Sequence, residues 1–96
     1  MNADFVAKLR LLSESEGGRK SATPSGHFGC ILEFEQEYFE CRLLLEDIGP
    51  ISPGEQAHVP IKLLRPDMVK ERLGVGARFR LREARIIGEG TVERIC

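Results

Sequence analysis

The sequence predicts an all-β fold of six strands, a sandwich or small barrel with closure favoured, occupying residues 1–96 as one domain. Three observations carry that expectation: a hydrophobic period of two recurs along the chain, glycine- and proline-rich turns separate the alternating segments, and no segment sustains the period of a helix beyond one turn. With 96 residues, 42% apolar and 30% charged, the chain can fill one modest core and no second domain. Closure follows from coverage. A sheet with one apolar face must bury it, and with no helical layer to do so the sheet is expected to curl onto itself.

The first strand is read from Phe5, Ala7, Leu9 and Leu11, which alternate with Val6, Lys8, Arg10 and Leu12. Glu16 to Gly26 is rich in turn formers and reads as a long connection. The second strand carries Phe28, Cys30, Leu32 and Phe34 on one face, with Glu33 and Glu35 on the other. A tight turn near Gln36 and Glu37 leads to the third, where Phe39, Cys41, Leu43 and Leu45 alternate with Glu40, Arg42 and Leu44. The chain reverses at Gly49 to Gly54, since Pro53-Gly54 suits the centre of a type II turn.

Ala57, Val59, Ile61 and Leu63 form one face of the fourth strand, in which Pro60 implies an edge or a bulge because it cannot donate to a ladder. Asp67 to Leu73 has room for at most one helical turn, with Asp67 as its N-cap and Gly74 as its stop. Ala77, Phe79 and Leu81 against Arg78, Arg80 and Arg82 give the fifth strand, and Thr91 to Ile95 the sixth. The expected core is Phe5, Ala7, Leu9, Phe28, Leu32, Phe34, Phe39, Leu43, Val59, Ile61, Leu63, Phe79, Leu81 and Val92.

Fourteen basic against fifteen acidic residues leave a net charge of −1, so no global field draws the protein to nucleic acid or an anionic membrane. The charge is unevenly spread: residues 33–47 sum to −5 and residues 62–85 to +5. Three cysteines, Cys30, Cys41 and Cys96, cannot all pair within the chain, and Asp4 interrupts any export signal at the start, so the expected compartment is the reducing cytoplasm. No run approaches the ~18 apolar residues that would cross a bilayer.

The order of several short stretches resembles the third, C-terminal domain of elongation factor Tu. Leu11 to Lys20 is similar to that family's first strand and its Glu-Gly-Gly-Arg-His loop, Pro53-Gly54-Glu55 to its Pro-Gly-Asp turn, and Leu64-Arg65-Pro66 to Ile-His-Pro. Arg78 to Glu83 is similar to Arg-Phe-Ala-Ile-Arg-Glu, and Gly88 to Val92 to the closing Gly-Ala-Gly-Val-Val strand. The resemblance covers nearly the whole chain and implies a six-stranded antiparallel barrel. In the family this domain grips the T stem of aminoacyl-tRNA and packs on a GTPase domain. Arg19 and Glu83 match residues of that tRNA surface, whereas the family's Gly-Tyr-Arg-Pro-Gln reads Gly26-His27-Phe28-Gly29-Cys30 here, and Asp67 to Gly76 forms an insertion.

No Gly-x4-Gly-Lys-Ser/Thr cradle occurs, so neither a GTPase activity nor a bound nucleotide is expected. Gly74-Val75-Gly76 and Gly88-Glu89-Gly90 read as turns and bulges, with Gly90 placed where the sixth strand starts and bends. The Arg78, Arg80 and Arg82 stripe reads first as a solvated strand face paired with Glu33 and Glu35, then as a surface for an anionic protein, then as an RNA surface. No aromatic platform lies among these arginines to stack bases. His27, Cys30 and Cys41 have ligand-like spacing but no evident fourth zinc ligand, and the cysteines fall on apolar faces as small hydrophobes. Neither a cofactor nor catalysis is expected, for no nucleophile, base and oxyanion set assembles from local motifs.

Two functions remain. The leading expectation is a non-catalytic module that binds a protein partner or a second copy of itself, covering a barrel flank that neighbouring domains cover in the elongation factor. The alternative is a tRNA-binding accessory of translation. The candidate binding residues are Arg19, Lys20, Arg78, Arg80, Arg82 and Glu83.

Overall fold

Period-two alternation becomes the inside and outside of a barrel wall. The computed structural model describes residues 2–96. Its six strands are β1 (Phe5–Leu11), β2 (His27–Phe34), β3 (Glu37–Leu44), β4 (Gln56–Leu63), β5 (Arg78–Arg82) and β6 (Ile86–Ile95). They close in the order β1-β4-β3-β2-β5-β6, every neighbouring pair antiparallel, with β6 returning to β1 in the register Leu9↔Gly90. The all-β barrel predicted from the sequence is the fold of the protein.

Every expected core residue is buried except Phe39, which lies near the tip of the β2–β3 hairpin and is only half-buried, with the Arg72 guanidinium 5.9 Å from its ring. The core also takes in Leu11, Cys30, Cys41, Leu45, Ile51, Val69, Leu73 and Ile87. Val69 and Leu73 belong to the segment between β4 and β5. They are 2% and 1% exposed and pack into the core, while Met68 and Val75 of the same segment remain outside. Asp4, also buried, accepts from the Leu63 amide at 2.7 Å and pairs with Lys62 and, at 3.6 Å, with Lys70 of the β4–β5 segment, so a carboxylate at the foot of β1 helps anchor that segment.

Pro60 occupies no sheet edge, since the barrel has none. The β1–β4 register runs through Val6↔Pro60, whereas the β3–β4 register stops at Leu43↔Ile61, so the missing donor falls where one ladder has already ended. The helical turn is a 3-10 turn over Pro66–Met68 whose preceding cap residue is Arg65; Asp67 lies within it and caps nothing, because proline takes the first position with its φ already set. A second 3-10 turn, Glu14–Glu16, lies at the start of the long connection and carries a capping box between Ser13 and Glu16.

The hairpin turn sits one residue earlier than expected, at Glu35 and Gln36, whose φ values of 51° and 66° are both left-handed. That is the backbone a two-residue hairpin needs to match strand twist, achieved here without glycine. Arg72 reaches across from the β4–β5 segment to Glu35 at 3.0 Å and Glu37 at 2.8 Å, tying both sides of the turn.

Strand β6 starts at Ile86 and not at Thr91. Two of its buried positions are Gly88 and Gly90, which leave no apolar side chain for a period-two pattern to register. Gly90 is therefore mid-strand. A Cβ there would lie 2.5 Å from Cζ of Phe79, so the reason for glycine is the space taken by a ring and not a left-handed backbone.

Candidate functional site

The six candidate residues separate into two places. Arg19, in the connection after the first 3-10 turn, donates from Nη1 to Oε1 of Glu83 at 2.6 Å. Its Nε donates to the Ser21 carbonyl and its Nη2 to the Ala22 carbonyl, while the guanidinium lies 4.9 Å from the Phe28 ring centroid. The fold thus brings together Arg19 and Glu83, and it engages all three nitrogens of Arg19 in doing so. Lys20 beside it is exposed.

Arg82 is also engaged: its Nη1 lies 3.1 Å from Oε1 of Glu33, and its guanidinium stands 5.6 Å from the Tyr38 ring. Arg78 and Arg80 differ. Arg80 sits in register between Glu89 of β6 and Glu33 of β2, yet Glu33 turns to Arg82 and Glu89 to Arg10, the latter at 3.4 Å. The expected pairing of the stripe with Glu33 and Glu35 holds for Arg82 alone, since Glu35 is taken by Arg72. Among the described residues Arg78 and Arg80 make no ion pair.

These two arginines line a groove of about 760 Å³ over β1, β6 and β5, together with Lys8, Arg10, Gln56 and Thr91, and with the carboxylates of Glu33, Glu35 and Glu89, which are held by Arg82, Arg72 and Arg10. The register Lys8↔Thr91↔Arg78 sets Lys8 two strands from Arg78, roughly 10 Å at the backbone, with Arg80 about 7 Å further along β5. Lys8 escapes sequence reasoning because β1 and β5 meet only through β6, a neighbourhood that strand order alone determines. Its one local signal is an outward place in the β1 alternation.

Arg10 is the groove's committed cation. Its two terminal nitrogens face the two carboxylate oxygens of Glu16 at 2.9 and 3.1 Å. That contact first, then the Ser13 amide, lowers the Glu16 carboxyl to about 2, and Glu16 in turn raises Arg10. Three cations, Lys8, Arg78 and Arg80, are left for an external anion. Arranged side by side on a rigid wall, they can hold carboxylates or phosphates.

Cys30 and Cys41 meet across the hairpin, but His27 does not join them. His27 and Cys30, three residues apart on one strand, face opposite sides of the wall, and the His27 ring meets Glu46 at 2.7 Å. Among the described residues no group of three or more His, Cys, Asp or Glu side chains is placed to hold a metal. No helix of the described residues is long and apolar enough to cross a membrane. No protein-family model matches the chain.

Proposed function

We propose that the protein is a non-catalytic binding barrel, of the elongation factor Tu third-domain type, that holds an acidic segment of a protein partner against the β1–β6–β5 wall. The observation that carries this reading is the trio Lys8, Arg78 and Arg80, exposed on one groove and in no ion pair among the described residues, the groove's acids Glu33, Glu35 and Glu89 being taken by Arg82, Arg72 and Arg10. An extended peptide repeats its same-face side chains about every 7 Å, which matches Arg78 to Arg80, and a third carboxylate reaches Lys8 across the groove. RNA is the weaker fit. Arg19 and Glu83 are spent on each other, and the one aromatic residue lining the groove, Phe79, points into the core.

Fluorescence anisotropy with a labelled oligoglutamate peptide tests the reading, with tRNA in a parallel series. Rim charges contribute roughly 0.2–1 kcal/mol each, so changing Lys8, Arg78 and Arg80 together to alanine is expected to weaken peptide binding about tenfold at low salt. Unchanged peptide affinity in the triple variant, or tRNA bound in preference to peptide with a steep salt dependence, overturns it.

A further inference from the structure

Cys30 of β2 and Cys41 of β3 are direct register partners across the hairpin. Their sulfurs are 3.7 Å apart, and the residues are 7% and 0% exposed. Neither takes part in the groove. Opposed residues of an antiparallel pair have Cα atoms about 4.5–5.5 Å apart, inside the roughly 4.4–6.8 Å that disulfides span, so the backbone is already placed for a bond. What remains is for side-chain rotation to bring the sulfurs from 3.7 Å to the ~2.05 Å of an S–S bond.

We propose that Cys30 and Cys41 are a modification site, forming a reversible intrachain disulfide by exchange with a low-molecular-weight disulfide such as oxidised glutathione. One cysteine loses its proton and its thiolate attacks the glutathione disulfide, forming a mixed disulfide and releasing one glutathione. The second cysteine, also deprotonated, then attacks the protein sulfur of that mixed disulfide and releases the other glutathione. One S–S bond forms and one breaks. The protein gives up two electrons and two protons, and the glutathione disulfide takes them up as two thiols.

The contact with Cys30 and burial push the Cys41 thiol well above its ordinary range, so thiolate is scarce while the hairpin stays closed. Oxidation therefore follows local opening of β2 from β3 and accelerates in sub-denaturing urea. The product is a staple on the hairpin, locking its register and restricting the unfolded chain.

The test uses the full chain with Cys96→Ser, which removes the exposed thiol that would otherwise link two molecules. After incubation with oxidised glutathione, a mass lower by about 2 Da and a Cys30–Cys41 cross-linked peptide are expected, both reversed by dithiothreitol. The melting midpoint of the oxidised form is expected to rise by at least ~4 °C. A second variant carrying Cys41→Ala should lose no mass and at most retain a single glutathionyl group. Reduced Cys30 and Cys41 after oxidation in mild urea, glutathionyl adducts that never resolve, or a lowered midpoint would overturn the proposal.

Discussion

Arg19 and Glu83, 64 residues apart in the chain, join at 2.6 Å and pin the long connection to the turn between β5 and β6. The arginine side chain is only 19% exposed and also holds two carbonyls of its own loop. Arg19→Ala is expected to lower stability by about 1–2 kcal/mol in urea titration, through lost hydrogen bonds and lost cover over Phe28. Glu83→Gln, which keeps a polar acceptor, should cost under about 1 kcal/mol. Oligoglutamate affinity should be unchanged in both, because this pair lies outside the groove.

Gly90 and Phe79 exclude one another's growth. Phe79 in turn meets Phe5 edge-on, ring centroids 5.9 Å apart, so the ring has little freedom to retreat. Gly90→Val is expected to destabilise by about 2–3 kcal/mol through overpacking. Thermal melts check the loss, and peptide affinity measured well below the midpoint should be retained. A variant with full stability and no binding would make Gly90 part of the contact surface.

The left-handed hairpin turn offers a gain. Gln36 holds φ 66° with a side chain that disfavours it, so Gln36→Gly is expected to stabilise by about 0.5–1 kcal/mol, the relief of strain outweighing the added freedom of the unfolded chain. Arg72→Ala should have the opposite sign, since it releases Glu35 and Glu37 together. Chemical denaturation of the two variants separates these effects.

Glu16 makes stability depend on acid. Its carboxyl is lowered from 4.5 to about 2 when folded, so its contribution is fully present above about 4.5 and is lost as pH falls through about 2. Glu16→Gln preserves the capping geometry but removes the charge. The variant is expected to be less stable than the parent at neutral pH and equal to it below the folded value, as read by urea titrations at both pH values.

The strands whose alternation is written in large side chains, β1 to β5, were legible because Phe, Leu, Ile and Val occupy the inward positions in turn. The start of β6 was not, since glycine at 88 and 90 is selected by what stands opposite and carries no hydropathy of its own. The role of Val69 and Leu73 was hidden for a related reason: a segment with one turn has too few residues to show which side faces a core. Of the candidate site, Arg78 and Arg80 were visible as an alternating stripe, whereas their freedom from Glu33 and Glu35 depends on Arg82 and Arg72 taking those acids first. Charge counting along a chain cannot order such a competition.

The seam between β1 and β6 joins the earliest strand to the latest, and at its foot the Cys96 amide donates to the Asp4 carbonyl. On a ribosome, the β2–β3 hairpin can form as soon as its two strands emerge, but one side of β1 finds its first partner at Gly88 and its last at Ile95, when the rest of the barrel has already been made. Final closure is thus a step of long sequence separation, slow by comparison with hairpin formation, and before it the hydrogen-bonding edge of β1 lies open to the edges of other nascent chains. Synthesis of this barrel is exposed to misassembly for almost its whole duration, and release from that exposure comes with the last strand.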